Sequence, residues 1–317
     1  MSPKLSVCFI TYNHEKFVRQ ALDSVLMQQC NFDFEIVIGD DCSTDSTSKI
    51  IEEYAAKYPD KIRLNVFEKN VGMTSNWVST IGACKGEYVA LLEGDDFWTD
   101  PLKLQKQIAL LEKNSDYVFI AHDVEVIRET SKVEQDYLLH IPEDSVFTIR
   151  DFLDKGVFLQ TASIVFRREA LLRFPTWADK RVKTIDTLVY LLLSSKGSYY
   201  YLAQKMSCYR MHVGGVSHTS WKKQQNTFEF DVVYVLKHFN AYSNYQFNKE
   251  VEDKIEFYYL RIIRGNPLTA KVYKKAMFGL MKIRPKKHFN LLKGYIINNL
   301  VPPMIYRVYR KILKTAK

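Results

Sequence analysis

One segment, residues 86–98, restricts the fold of this sequence more than any other. Its apolar run Tyr88–Leu92 has no polar alternation, which is typical of a strand covered on both faces in a parallel sheet. Three carboxylates, Glu93, Asp95 and Asp96, follow directly. Crowded carboxylates repel one another and lose hydration there, and a bound divalent cation relieves both costs. The segment therefore predicts an α/β fold with a Mg²⁺ or Mn²⁺ site where its central strand ends.

The alternative for this segment is a solvated turn in front of a helix. Asp100-Pro101 does predict a helix N-terminus, with Asp100 as the N-cap of a helix over Leu102–Lys113. A cap needs only one acid, so the three carboxylates before it stay available for a ligand.

Strands and helices alternate through the first hundred residues. Strands are predicted at Leu5–Ile10, Phe34–Gly39, Ile62–Val66 and Tyr88–Leu92, and helices at His14–Gln29, Ser48–Tyr58 and Ser75–Cys84. This order predicts right-handed crossovers and a mostly parallel central sheet flanked by helices. Polar residues follow the first two strands, at Thr11-Tyr12-Asn13 and Asp40-Asp41, where open α/β folds place ligand loops.

Length and charge indicate how the chain is divided. Its 317 residues suit one large domain or one domain with an extension. Residues 257–317 contain fifteen Lys or Arg and no Asp or Glu, and the formal net charge of +9 therefore leaves −6 for residues 1–256. An acidic body argues against a nucleic-acid-binding core. We expect a first domain over 1–218 and a basic, helical C-terminal extension over 219–317.

Targeting signals and cysteines favour a cytoplasmic location. No run of about 18 apolar residues is present, so no membrane-spanning helix is expected. The first residues lead straight into a predicted strand rather than into a signal peptide. The five cysteines show no metal-ligand spacing, which predicts reduced thiols.

The basic end of the chain, residues 295–314, mixes apolar, aromatic and basic residues. One side of a predicted helix is apolar and its flanks are basic, the two sets being Met304, Val308, Ile312 and Leu313, and Arg307, Arg310, Lys311 and Lys314. This pattern is typical of a helix on an anionic membrane surface, which predicts a peripheral location at the inner face of the membrane. The alternative is a basic helix that packs on the body or on a partner protein.

Taken in series, the motifs resemble a family 2 glycosyltransferase, an inverting enzyme of the bacterial polysaccharide type with the GT-A nucleotide-binding fold. The matching segments are Ser6–Asn13, Glu35–Asp45, Asn70-Val71-Gly72 and Lys85–Asp96, and the resemblance covers residues 5–218. Two positions depart from the family pattern. Cys42 stands where the family usually has glycine, and Glu93 stands where it usually has the first aspartate of Asp-x-Asp-Asp.

The resemblance implies a nucleotide-sugar donor, with a UDP-sugar as the expected kind. The residues that it assigns to the donor are Thr11, Tyr12, Asn13, Asp41, Asn70, Glu93, Asp95 and Arg210. Asp41 would accept the pyrimidine N–H, and Glu93 would lie near the ribose. Asp95, Asp96 and His212 would hold Mn²⁺ or Mg²⁺ on the diphosphate. The segment 206–218, with Gly214-Gly215, would close over the donor; its alternative is a surface turn.

The resemblance also implies a general base and an acceptor region. Asp186 would take the proton of the acceptor hydroxyl in an inverting transfer, and its alternative role is the N-cap of the helix that follows. Gln160, Thr161 and Ser163 would border the acceptor, because their amide and hydroxyl groups suit sugar hydroxyls. The acceptor would be a saccharide or a lipid-linked saccharide of a cell-surface polysaccharide.

Two other functions stay open at this point. A nucleotidyltransferase on a similar sheet would need a basic, glycine-rich phosphate loop after the first strand, and residues 11–14 supply none. A non-catalytic nucleotide-binding module would not need an acidic residue at every one of the expected positions. The identity of the sugar, the acceptor and the oligomeric state do not follow from the sequence, and no nucleic-acid partner is expected.

Overall fold

The computed structural model describes residues 2–128, 141–155, 159–179, 181–212, 215, 227–264, 269–289, 291 and 293. Its strands are β1 Leu5–Thr11, β2 Phe34–Asp40, β3 Ile62–Val66, β4 Tyr88–Glu93, β5 Phe97–Trp98, β6 Tyr117–Arg128, β7 Ser145–Phe147, β8 Val165–Arg167 and β9 Ser198–Met211. Its helices are α1 Val18–Leu26, α2 Thr47–Lys57, α3 Met73–Ala83, α4 Lys103–Lys113, α5 Ile149–Lys155, α6 Ile185–Ser194, α7 Thr227–Tyr242, α8 Asn248–Arg264 and α9 Ala270–Ile283.

The strands of the described residues form one sheet in the order β3-β2-β1-β4-β8-β6-β9-β5, with β7 added on β9. β1, β2, β3 and β4 pair in parallel, whereas β5 pairs antiparallel with β9. β8 enters antiparallel between β4 and β6, and β6 pairs in parallel with β9. The predicted α/β fold, with a mostly parallel sheet flanked by helices, is confirmed.

The core explains why the central strands have no polar alternation. Every residue of β1 is buried, and so are Tyr88–Leu92 of β4, because helices cover both faces of this half of the sheet. β1 has β2 on one side and β4 on the other, so the chain changes direction across the sheet at β1. Crevices form at such switch points beside the carboxyl ends of the strands.

Three predictions about the elements differ from the structure. α4 begins at Lys103 with Leu102 as its N-cap, and Asp100 instead accepts a hydrogen bond from the N–H of Leu102. α1 begins at Val18, four residues after the predicted start, because residues 14–17 form a separate turn. Residues Met206–Met211, predicted as part of a mobile closing segment, are the end of β9. They pair with β6 through Tyr209 and with β5 through Cys208, which gives this backbone partners on both sides. The glycine pair that was to permit closure lies partly outside the described residues.

Backbone contacts divide the chain into residues 1–250 and residues 251–317, and the boundary expected after residue 218 stays a prediction. In the second unit, Gly279 of α9 packs against the ring of Tyr259 of α8, where a Cβ would collide with it. In the part of the chain that the structure describes, no helix is long and apolar enough to cross a membrane. The predicted surface helix of the last twenty residues lies outside that part.

Candidate active site

The pairing register of the central strands brings the ends of these strands together at the candidate site. Ile10 of β1 pairs with Glu93 of β4, and Thr11 pairs with Asp40 of β2. Strand ends from three parts of the sequence therefore meet at one edge of the sheet. Asp95 follows in the turn after β4, so the acidic motif and the Thr11 loop lie side by side.

Asp95 lies between two imidazoles. Its Oδ2 atom is 3.0 Å from Nε2 of His212 and 3.7 Å from Nε2 of His14. Burial by itself would raise the pKa of Asp95, but the charge of His14 and the hydrogen bond to His212 lower it below its usual value. Asp95 is therefore held as a carboxylate, the form that binds cations.

Asp96 is turned towards β9. It is buried, and its Oδ1 accepts a hydrogen bond of 2.8 Å from the backbone N–H of Arg210. Burial, followed by the neighbouring charges of Asp95 and Glu93, raises the pKa of Asp96 well above its usual value. This side chain thus connects the acidic turn to β9, and the predicted role of Asp96 as a metal ligand stays a prediction.

Arg210 of β9 also joins the acidic turn to β9. Its Nε donates to the backbone oxygen of Asp95 at 3.0 Å, and its guanidinium also donates to Gln20 at 2.7 Å. The guanidinium lies over the rings of Phe17 and Phe97, 4.7 and 5.3 Å from their centroids. Arg210 therefore lies beside the acidic turn with several of its N–H groups already paired, and its predicted role in donor binding stays a prediction.

Glu93 is an acid that the protein keeps protonated. Its Oε2 accepts a hydrogen bond of 2.5 Å from the hydroxyl of Thr161. Burial, and then the charges of Asp95 and Asp186, raise the pKa of Glu93 to about 8. The effect of Asp186 also indicates that this residue, which is 93 positions away in the sequence, lies near Glu93.

Asp186 is in the first turn of α6, whose N-cap is Thr184. Its Oδ1 accepts a hydrogen bond of 2.7 Å from the backbone N–H of Thr187, and burial raises its pKa. Asp186 is not the N-cap, so the structural alternative for this residue is wrong. A carboxylate with a raised pKa suits a general base.

The predicted acceptor residues have different surroundings. Thr161 reaches the acidic site through its bond to Glu93. Ser163 is fully buried, and its hydroxyl donates to the backbone oxygen of Gln160. Gln107 of α4 donates a hydrogen bond of 2.8 Å to the backbone oxygen of Ser163, which fixes residues 160–163 against α4. Thr161 thus contacts Glu93 of the acidic motif, whereas the hydroxyl of Ser163 bonds within its own segment.

Two segments predicted to bind the nucleotide, at Asp41 and at residues 70–72, are hydrogen-bonded to each other. The two carboxylate oxygens of Asp41 accept hydrogen bonds from the backbone N–H groups of Val71 and Gly72, at 2.6 and 3.0 Å. Asn70 donates to the backbone oxygen of Asp41. Burial raises the pKa of Asp41 despite these bonds. Cys42 has a φ of 60°, which explains why glycine is usual at this position in the resembled family.

Of the two residues that directly follow β1, Asn13 forms hydrogen bonds and Tyr12 is exposed. Asn13, with a φ of 56°, accepts a hydrogen bond of 2.8 Å from the backbone N–H of Thr44, and its own N–H donates to Ser43. It therefore joins the loop after β1 to the loop after β2. Tyr12 is 42% exposed, so its ring is open to a planar ligand.

A metal ion at this site would have a mixed donor set. Among the described residues, no three His, Cys, Asp or Glu side chains are already arranged to hold a metal ion. The carboxylate oxygen of Asp95 and the imidazole of His212 are nevertheless 3.0 Å apart, the spacing of about 3 Å between adjacent ligands of an octahedral ion with bonds near 2.1 Å. These two residues fit a Mn²⁺ or Mg²⁺ ion whose other ligands are diphosphate oxygens and water.

Comparison with known proteins agrees with this architecture. The profile of Glycosyl transferase family 2 matches residues 6–174, more than half of the chain. Protein Rv1520 of Mycobacterium tuberculosis is 36% identical over 229 residues, which are 71% of this chain and 64% of the relative, so the chain spans less than two thirds of that protein. A Bacillus subtilis relative, TuaG, whose name describes a teichuronic acid biosynthesis glycosyltransferase, is 27% identical over 71% of this chain and 86% of its own length.

A solved structure has the same fold. The crystal structure of residues 1–349 of S. aureus TarS in complex with UDP-GlcNAc superposes with a TM-score of 0.58. It covers 93% of this chain and 76% of TarS at 18% identity, so the likeness concerns the GT-A fold alone. Together with the profile match, these observations show that the chain belongs to glycosyltransferase family 2.

Proposed function

We propose that this protein is an inverting glycosyltransferase that transfers a sugar, of the hexose type, from a UDP-sugar to a saccharide or lipid-linked saccharide in cell-surface polysaccharide synthesis. The observation that carries the proposal is the convergence of Glu93, Asp95 and Asp186 at the carboxyl edge of the sheet. The UDP-GlcNAc bound by TarS and the role in the name of TuaG support the choice of donor and pathway.

The nucleotide would lie on the loops after β1 and β2. Tyr12 offers an exposed ring to the base, and each oxygen of Asp41 keeps a second lone pair for a base N–H. Thr11, Asn13 and Asn70 shape the same loops. Glu93 lies between this region and Asp186, which suits a contact with the ribose or the sugar.

Asp95 and His212, with Asp96 beside them, would hold Mn²⁺ or Mg²⁺. A metal ion bound there neutralises the charge of the departing nucleoside diphosphate. Asp186 takes the proton of the acceptor hydroxyl, whose oxygen then attacks the anomeric carbon from the face opposite the leaving group. The raised pKa of Asp186 brings its basicity closer to that of a base working near neutral pH.

The test begins with product analysis. The protein is incubated with a panel of nucleotide sugars, Mn²⁺ and bacterial membranes. Release of free nucleoside diphosphate together with sugar transfer is expected. Release of pyrophosphate would instead indicate a nucleotidyltransferase, and binding without turnover would indicate a nucleotide-binding module.

Two variants then test the residue roles. Asp186→Asn is expected to bind UDP as well as the parent does but to lose about 10²-fold or more in kcat, because the proton acceptor is removed. Asp95→Asn is expected to lose the metal-dependent part of UDP affinity in calorimetry. Asp60→Asn, at an exposed turn before β3, is the matched control and should change neither. Parent-level transfer by Asp186→Asn would exclude this residue as the base.

The membrane association inferred from the sequence gains support from α9. Lys271, Lys274, Phe278 and Lys282 are exposed and follow one another at helical spacing, whereas the opposite face with Met277 is buried. An exposed aromatic ring among cations suits an anionic lipid surface. We therefore propose peripheral binding at the cytoplasmic face of a membrane.

A further inference from the structure

His14, which no sequence motif singled out, faces the acidic turn. Its Nε2 atom lies 3.7 Å from Oδ2 of Asp95, the same oxygen that His212 approaches at 3.0 Å. The two imidazole rings stand edge to face, with centroids 6.3 Å apart and an angle of 82° between their planes. They therefore reach one oxygen from different directions.

The backbone of His14 is fixed on both sides. Its N–H donates to Oγ1 of Thr47 at 2.8 Å, and its carbonyl oxygen accepts from the N–H groups of Phe17 and Val18, both at 2.9 Å, where α1 begins. The preceding residue, Asn13, is bonded to the loop after β2. The position of the imidazole is therefore set by the fold rather than by a flexible segment.

Gly94 leaves the space that the ring occupies. A Cβ atom at this position would lie 2.7 Å from Oγ1 of Thr11 and 3.0 Å from Nδ1 of His14. Both of these atoms are buried, so Nδ1 cannot turn towards a ligand. The edge of the ring that faces the site is therefore the one with Nε2.

Nε2 of His14 lies at ion-pair distance from Asp95 but forms no hydrogen bond with the residues that the structure describes. A separation of 3.7 Å is too long for a hydrogen bond, and among the residues that the structure describes His14 forms no other side-chain hydrogen bond. His212 differs, because its Nε2 is bonded to Asp95 at 3.0 Å. Arg210 differs too, because it already donates to Asp95 and Gln20. Among the described residues, Nε2 of His14 is thus a ring nitrogen without a hydrogen-bond partner, beside the carboxylate that would hold the metal.

We propose that Nε2 of His14 donates a hydrogen bond to a diphosphate oxygen of the nucleotide-sugar donor, next to the metal held by Asp95 and His212. The inference rests on the proposed function and adds a binding residue to that site. A diphosphate would bring negative charge next to the carboxylate of Asp95, and a hydrogen-bond donor beside the metal would stabilise that charge. His14 holds the leaving nucleoside diphosphate at that point.

Calorimetry with purified protein, Mn²⁺ and either UDP or UMP tests the inference. His14→Asn is expected to weaken UDP binding about tenfold or more, and to leave UMP binding within about twofold, because the missing contact is to the second phosphate. Mn²⁺ binding followed by electron paramagnetic resonance should stay within about twofold. His14→Gln, whose longer side chain can place its amide N–H nearer to the position of Nε2 than asparagine can, should recover part of the UDP affinity.

The contrary outcomes are distinct. Equal UDP affinity in His14→Asn and the parent, or an equal loss for UDP and UMP, would overturn the inference. A loss of Mn²⁺ binding in His14→Asn would overturn it in favour of a metal ligand. His238→Asn, a histidine of α7 in contact with Tyr234, is the matched control. Failure of the parent itself to bind any nucleoside diphosphate would refute the proposed function rather than this inference alone.

Discussion

At the scale of single residues, Glu93 is an acid that costs stability in its charged form. It is bonded to Thr161 and surrounded by Asp95 and Asp186, and its pKa is raised to about 8. An acid whose pKa is higher in the folded than in the unfolded protein binds its proton more tightly when folded. Stability is therefore lost as the pH rises from about 4.5 towards 8.

Glu93→Gln should remove this loss. In metal-free protein kept in a chelator, we expect the variant and the parent to have similar free energies of unfolding near pH 4.5. By pH 8 the variant should be more stable by about 2 kcal/mol or more, since each unit of pKa shift corresponds to about 1.4 kcal/mol. Urea unfolding at several pH values measures this difference. Glu68→Gln, at an exposed acid, should show no such pH dependence. If the difference in free energy of unfolding between Glu93→Gln and the parent did not change with pH, the raised pKa of Glu93 would be contradicted.

Gly94 and Gly82 should respond oppositely to alanine. At Gly94 the new methyl group would meet Thr11 and His14, so we expect a loss of about 1–3 kcal/mol of stability together with weaker UDP binding. At Gly82 of α3 a Cβ meets nothing within 4 Å, and alanine should stabilise the helix by about 0.5–1 kcal/mol. Thermal unfolding of the two variants checks the pair. A stable Gly94→Ala with parent UDP affinity would show that the space is not needed.

At the scale of elements, one carboxylate in the second unit joins α8 to the residues that follow α9. Glu256 is buried and accepts bonds from Arg284 at 2.8 Å, Lys287 at 2.6 Å and His288 at 2.9 Å. Burial by itself would raise the pKa of Glu256, but the bond to Lys287 and the charges around it lower the pKa. This stabilisation is present at neutral pH and is lost in acid, as Glu256 becomes protonated.

Glu256→Gln should loosen this junction. We expect a loss of about 2 kcal/mol, less than for a completely buried ion pair because Lys287 reaches solvent. Hydrogen exchange of the amides of α9 should become faster in the variant at pH 7. The difference should shrink near pH 3. Glu52→Gln, on the exposed side of α2, is the control, and unchanged exchange in Glu256→Gln would argue against the junction.

At the scale of the whole molecule, the separation of charge is the main feature. The acidic body carries the active site, and the last sixty-one residues contain no acid. The exposed cationic face of α9 is one part of this basic region that the structure describes. Such a separation of charge suits a protein whose basic region binds an anionic surface.

Vesicle binding tests this arrangement. The full chain should sediment with phosphatidylglycerol vesicles but not with phosphatidylcholine vesicles, and the binding should weaken at high salt. Replacing Lys271, Lys274 and Lys282 by Glu should weaken it about tenfold or more, since each basic residue near the surface contributes about 1 kcal/mol. The same change at the exposed Lys16, Lys49 and Lys57 is the charge-matched control. Equal losses in both triple variants would point to net charge rather than to α9.

Local patterns in the sequence determined the first half of the sheet. The buried strands, the polar residues at their ends and the helices between them depend on hydrophobic periodicity and on turn residues, which neighbouring positions reveal. β1, β2, β3 and β4 therefore agree with prediction to within a residue or so. The acidic motif after β4 and the family followed from the same local signals.

Contacts between distant residues were decided only by the tertiary structure. The pairing of Met206–Met211 with β5 and β6, the bond from Arg210 to Asp96, and the approach of His14 to Asp95 each join segments about 80 to 110 or more positions apart. No periodicity in the sequence encodes such contacts, because they depend on how strands are ordered across the sheet. The ends of the strands could be predicted from the sequence. The fold decided which side chains approach the same oxygen atom and which groups are joined by a hydrogen bond.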